Sequence, residues 1–270
     1  MVRNEDVAWC AGDWYVNMHS INIEHEGFAK DGATWYTEEM YQSSAALVRW
    51  LAQEHDIPLD RAHIIGHDNV PTVSPARMKT QHADPGPYWD WNHYMALLHG
   101  VSDEEERAAS DSYFEEGDVI TINPDFATNL LDFNGCVTTG CVTAEGQGSS
   151  AVMLRTMPDA TAPLVSDPYL HESNTAGTSL LEDWGSRAST GQQFVVAEQL
   201  DDWTAIWYGG QKAWFYNPVD NPSAFIAESS IVTPLEIMES IPVYGVAYPE
   251  AAAYPEGMTP QSVVKLYDMP

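Results

Sequence analysis

This chain is poor in positive charge, poor in cysteine and free of long apolar runs. Only 11 lysines and arginines face 40 acidic residues, giving a formal net charge of −29 and a pI near 4.2. A nucleic-acid partner needs a basic footprint, so this balance excludes one. It also excludes docking on anionic membranes, and leaves a soluble, self-repelling surface. No run of about 18 apolar residues occurs, so no helix read from the sequence spans a bilayer. Three cysteines, Cys10, Cys136 and Cys141, are present. The last two lie in a glycine-flanked loop that can close a small disulfide or hold two free thiols, and two cysteines alone make a poor zinc site. The opening Met1–Asp6 lacks the apolar centre of a secretory leader.

At 270 residues and 44% hydrophobic, the chain has room for about two domains with real cores. The stretch from His63 to Trp91 organises the first. Arg61–Gly66 is a short run with β-branched residues, bounded by Pro58 and Gly66, and reads as a buried strand. His67 then falls just past the strand end, where a scaffold presents functional side chains. His82 and Asp84 follow, ahead of Pro85-Gly86-Pro87, whose prolines fix φ and remove two backbone donors. Imidazole nitrogen and carboxylate oxygen are both zinc ligands, and three protein ligands with one open position make a catalytic zinc site. A loop aspartate before proline is equally a turn former, so spacing alone leaves both readings open. Eight of the nine histidines precede residue 100.

The ordered motifs Gly66-His67-Asp68-Asn69-Val70-Pro71 and His82-Ala83-Asp84-Pro85-Gly86-Pro87-Tyr88-Trp89-Asp90-Trp91 together resemble the zinc N-acetylmuramoyl-L-alanine amidases, the group that includes the peptidoglycan-recognition proteins. The likeness covers roughly residues 1–100. It implies that His67 and Asp84 bind Zn2+, and that His82 stabilises the tetrahedral intermediate. Ile21-Asn22-Ile23-Glu24-His25-Glu26-Gly27 is similar to the family's catalytic segment, which makes Glu24 the general base for zinc-activated water. It further implies substrate contacts at Trp14, Asn17 and Tyr88. The implied reaction is hydrolysis of the amide between N-acetylmuramic acid and the L-alanine of the stem peptide.

Two departures matter. The family's first zinc-ligand histidine sits on a strand that would fall before Met1, and Cys10 stands where the family's Ala-Trp-His-Ala-Gly segment has histidine. Cys10, His19 and His25 are stand-in ligand candidates. The alternative reading is therefore a catalytically impaired peptidoglycan-binding protein. The implied setting is extracellular or the cell wall, which favours pairing Cys136 with Cys141. The implied partner is peptidoglycan, with no nucleic acid and no membrane, and the chain is expected to act as a monomer.

Four segments organise the rest. Residues 1–101 form an amidase domain, truncated at its start. Within it, Ser20–Glu26 alternates as a strand, and Thr37 caps a helix over 37–55 that buries Met40, Leu47, Val48 and Leu51. Asp90–Leu98 forms a closing helix. Residues 102–150 form an acidic linker and a cysteine-containing bridge. Residues 151–218 carry short strands at 152–156, 193–197, 202–207 and 212–215, and resemble a bacterial SH3-like module. Residues 219–270 are a Tyr/Pro-rich segment. The expected architecture is an α/β amidase domain, with a mixed central sheet flanked by helices, followed by a small all-β SH3-like barrel.

Overall fold

A computed structural model describes the chain except at residues 1, 4, 5, 71, 73, 74, 108–112, 138, 139, 145, 172–174, 246, 247 and 262–264; for 75, 135–137 and 140–144 it describes backbone alone. Helices come first: α1 (Trp14–His19), α2 (Gly32–Trp35), α3 (Glu38–His55), α4 (Pro75–Met78), α5 (Trp91–His99) and α6 (Asp103–Glu106). Strands follow: β1 (Val119–Ile122), β2 (Phe133–Val137), β3 (Gly140–Ala144), β4 (Ala151–Met153), β5 (Arg187–Ser189), β6 (Gln193–Leu200), β7 (Trp203–Tyr208), β8 (Gln211–Tyr216), β9 (Ala224–Ile226), β10 (Ile241–Tyr244) and β11 (Lys265–Met269). Helices and a multi-stranded antiparallel sheet are thus both present, as expected, but in different halves of the chain. Among the described residues before α6 there is no strand, so the mixed central sheet of the first domain is not found.

The helical half packs as the capping signals dictate. Thr37 Oγ1 accepts from the Met40 N–H and Glu38-Glu39 occupy the first turn of α3, where the dipole favours carboxylates. Its buried face is Tyr41, Ser44, Ala45, Val48, Leu51 and Ala52. Leu47, expected on that face, is exposed. The face packs on Trp89, Trp91, Tyr94, Met95 and Leu98, with Ile23 and Ile64 against it.

Both strands expected in this half fail to form, for local reasons. At Arg61–Gly66, Asp60 takes over the backbone: its Oδ1 accepts from Ala62 and His63 N–H, and its carbonyl accepts from His63 and Ile64 N–H. An Asx turn of this kind competes directly with a ladder. Ser20–Glu26 is extended, with Ile21, Ile23 and His25 half-buried and Glu24 exposed. Burial alternates along it, but no described strand lies beside it to pair with.

Helix α5 starts at Asp90, whose Oδ1 accepts the His93 N–H, and stops at left-handed Gly100. Burial pushes the Asp90 carboxyl up to about 6, against the helix N–H that favours its charge. A folded pKa above the ordinary 3.8 means the folded state holds the proton more tightly. The group's contribution to stability is therefore full below about pH 4 and lost as pH rises through about 6. Asp90→Asn keeps a capping oxygen and removes the charge. Melting curves should show the variant more stable than the native chain at pH 8, by about 3 kcal/mol, with the difference nearly gone at pH 4. Equal differences at both pH values would refute the assignment.

In the second half the antiparallel order is β8-β7-β6-β1-β9. The meander β6–β7–β8 lies where the alternating sequence put it, and the β7–β8 turn uses Gly209 and Gly210 at positive φ, as a tight hairpin requires. Its core includes Ile120, Ile122, Leu154, Val196, Ile206 and Phe215. Strands β1 and β9 come from outside 151–218, so the sheet recruits part of the stretch read as a bridge and part of the C-terminal segment. Among the described residues the sheet is open, with β8 and β9 at its ends; β4 pairs with β5, and Arg155, two residues beyond β4, bridges to Trp214 of β8. No barrel closes among these strands. The stretch read as an acidic linker opens with α6, capped reciprocally by Ser102 and Glu105 and tied to α5 through His93–Asp103 and His99–Glu106. β10 and β11 pair in the C-terminal segment.

The halves share a core. Tyr88 packs with Phe133 and Leu181, and its hydroxyl donates to Leu131 O and accepts from Phe133 N–H. Ser150 Oγ donates to Trp89 O and accepts from Trp91 N–H.

Candidate metal centre

His67 lies at the start of a single 3-10 turn, His67–Asn69, not at a strand end. Two loops cross there. Asp68 N–H donates to Asp84 O at 2.9 Å, and Tyr36 OH donates to Pro85 O at 2.8 Å. The crossing needs glycine at 66: a Cβ would stand 2.5 Å from Asp68 Oδ1 and 2.6 Å from Pro85 Cδ. Asn69 Oδ1 accepts from Gly66 N–H and from Arg61 Nη2, which braces the turn.

The crossing brings three donors together. His67 Nδ1 lies 3.8 Å from Asp84 Oδ2, and His82 Nδ1 lies 3.5 Å from Asp84 Oδ1. The two imidazoles stack with centroids 4.6 Å apart. One ligand atom from each of His67, His82 and Asp84 falls within 4.8 Å of the others. The Asp84 carboxylate holds His67 above the usual imidazole range, against burial, and His67 holds Asp84 below the usual carboxylate range. Next door, burial lifts Asp68 to about 6, opposed by Arg187 and Arg61.

The donor set fits a divalent zinc ion. Two imidazoles and a carboxylate are borderline ligands of the kind zinc takes, and three protein donors leave a position open. The Asp84 carboxylate and His82 imidazole of the set are more than half exposed at their side chains, so the donors open toward solvent, where an ion could enter.

The cluster sits on the wall of a cavity of about 1130 Å³. Glu24 lines the same cavity and is exposed, so it shares the space with the donors without joining the cluster. The stand-in ligands are engaged elsewhere: His19 Nδ1 pairs with Tyr15 O, and His25 Nε2 with Ser44 Oγ, where burial also lowers its pKa. Cys10 lines the cavity but its Sγ lies 3.8 Å from Asn17 Oδ1, outside the donor group.

The expected substrate contacts fare differently. Asn17 is buried and its Oδ1 accepts from Cys10 and Ala11 N–H, so it shapes the loop beside the cavity. Tyr88 is 1% exposed and belongs to the shared core. That correction follows from its two backbone partners, which only a buried hydroxyl reaches. Trp14 is exposed, packs at a tilt against Trp9 with centroids 4.7 Å apart, and is not a cavity-lining residue. Arg77 and Lys79 do not line the cavity, whereas Lys30, Leu181 and Glu182 do. Nothing in the sequence flagged Leu181 and Glu182, because their approach depends on the second half of the chain. Cys136 and Cys141 face each other in the β2–β3 register. Their side chains lie outside the described residues, so the disulfide expectation is not addressed.

Residues 1–87 match the family model of N-acetylmuramoyl-L-alanine amidase. The match covers less than half of the chain and includes Glu24, His67, His82 and Asp84. No curated protein and no solved structure is significantly similar to the chain.

Proposed function

We propose that the chain is a zinc-dependent peptidoglycan hydrolase that cleaves the amide bond between N-acetylmuramic acid and the L-alanine of the stem peptide. One observation carries this reading: His67, His82 and Asp84 converge on the wall of a large cavity that also holds Glu24, all inside the segment that matches the amidase model.

His67 and Asp84 would hold the ion. Zinc bound there would supply Lewis acidity toward the amide carbonyl and the attacking water. Glu24 takes the proton from that water and returns it to the departing L-alanine nitrogen, so atoms balance: the C–N bond breaks, the carbonyl carbon gains oxygen and the amine leaves with a proton. His82 has two roles within reach. It acts as third donor to the ion or, protonated, as hydrogen-bond donor to the developing oxyanion. The exposed side of the cavity admits a polymer, and Lys30 on its wall suits a stem-peptide carboxylate.

In this reading the open sheet of the C-terminal half, with Trp203 and Trp207 half-buried on β7, is the part that binds the wall. The setting is outside the cell or in the wall; no helix among the described residues is long and apolar enough to cross a membrane. The competing reading is a wall-binding chain with impaired catalysis. The full chain, incubated with purified peptidoglycan, is expected to release free amino groups without new reducing ends, to carry one zinc and to stop when a chelator removes it. Wall binding without zinc and without amine release would replace the hydrolase by the binding protein.

A further inference from the structure

The most buried ion pair among the described residues lies beside the candidate centre and joins the two halves of the chain. Arg187, the first residue of β5, is 1% exposed at its side chain, and Asp68 is 4% exposed; Arg187 Nη2 stands 3.8 Å from Asp68 Oδ2. Asp68 follows His67 directly, and its N–H donates to the carbonyl of Asp84. On its other side, Arg187 Nη1 donates to Leu181 O at 3.1 Å, and Leu181 and Glu182 form part of the cavity wall. The guanidinium lies 5.2 Å from the Phe133 ring. One side chain therefore touches both the ligand-bearing turn and a second segment of the cavity lining.

Burying two charges costs several kcal/mol per ion, and the attraction repays it only with good geometry and full hydrogen bonding. Here the geometry is incomplete: Arg187 Nε and Nη2 and Asp68 Oδ1 have no hydrogen-bond partner. Hydrophobic residues of the same size would serve stability at least as well. A pair kept on such terms is explained by what it aligns. Arg61 works from the other direction, donating to Thr190 O from Nε, to Asn69 from Nη2 and to Ile64 O from Nη1. Its guanidinium stacks 3.4 Å above Trp91. Each half thus sends one arginine into the other, and both end on the turn His67–Asn69.

We propose that Arg187 is a positioning residue for the metal centre: through Asp68 it fixes the turn that carries His67 against the loop that carries Asp84, and through Leu181 it holds another part of the cavity lining. The C-terminal half is then part of the active unit and not only an attachment. This rests on the zinc reading above. Arg187 lies beyond the residues matched by the family model, so that match does not assign it.

Zinc affinity, measured by competition with a chromophoric chelator on the full-length chain, tests this beside the melting temperature and the separate kcat and KM. Partners behind metal ligands typically set affinity by 10–100-fold. Arg187→Met should therefore weaken zinc binding by about that factor and lower kcat more than it raises KM. Because Arg187→Met strands a buried carboxylate, Asp68→Asn/Arg187→Met serves as the second variant. It should melt near the native chain and still bind zinc weakly. Arg187→Lys keeps the charge without the planar fork and should fall between. If the double variant or Arg187→Lys folds with native zinc affinity and native kcat, the pair is merely structural and the proposal fails. A native chain that binds no zinc would instead bring down the reading of the site itself.

Discussion

Asp84→Ala should yield a folded chain that no longer retains zinc through gel filtration and no longer releases amines from peptidoglycan. The loss should exceed the roughly 100-fold that a supporting partner causes, because Asp84 is the carboxylate shared by both imidazoles, at 3.8 Å from His67 and 3.5 Å from His82. Folding should survive, since its side chain is half-exposed and the loop crossing uses its backbone carbonyl, which the substitution keeps. His82→Ala separates the two roles of that residue. As third donor, its loss lowers zinc content; as hydrogen-bond donor to the oxyanion, its loss leaves zinc bound and lowers kcat by about 10²–10³. Undiminished zinc and turnover in Asp84→Ala would end the account of the centre.

Glu24→Gln should do the reverse of Asp84→Ala: zinc stays, and kcat falls by about 10²–10⁴, the usual worth of a positioned general base. The carboxylate is exposed and borders the cavity without touching the donor cluster, so the amide should leave zinc affinity and melting temperature unchanged. Retained kcat would move the base to another group and leave the zinc site standing. Together the two variants divide the reaction between holding the ion and moving the proton.

A local signal such as the Thr37 cap is legible in the sequence because one residue dominates its neighbourhood; the Asp90 cap is visible only in the structure. Thr37 and Asp90 cap α3 and α5 because their side-chain oxygens reach N–H groups that have no partner within the helix. The meander β6–β8 follows from alternation and a Gly-Gly turn. Elsewhere composition is overridden, by a neighbouring side chain or by a partner distant in sequence. Arg61–Gly66 has strand-like composition, yet Asp60 folds it into a turn and Arg61 is drawn onto Trp91 and Thr190. Tyr88 looks like a subsite aromatic until Leu131 and Phe133 close over it. Strands β1 and β9, of four and three residues, are too short to carry a period.

The sequence by itself determined the donor chemistry: His67, His82, Asp84 and Glu24 are fixed in type and order, and proline and glycine confine the loop that bears Asp84. It also determined a strongly acidic composition, with a formal net charge of −29. Only the tertiary structure decided that His82 joins the other two donors, that Leu181 and Glu182 wall the cavity, and that Arg187 closes on Asp68. The reason is reach. A cap or a turn is settled within a few residues by groups that cannot avoid one another, whereas a buried ion pair or a cavity wall exists only after distant segments have packed and excluded water between them.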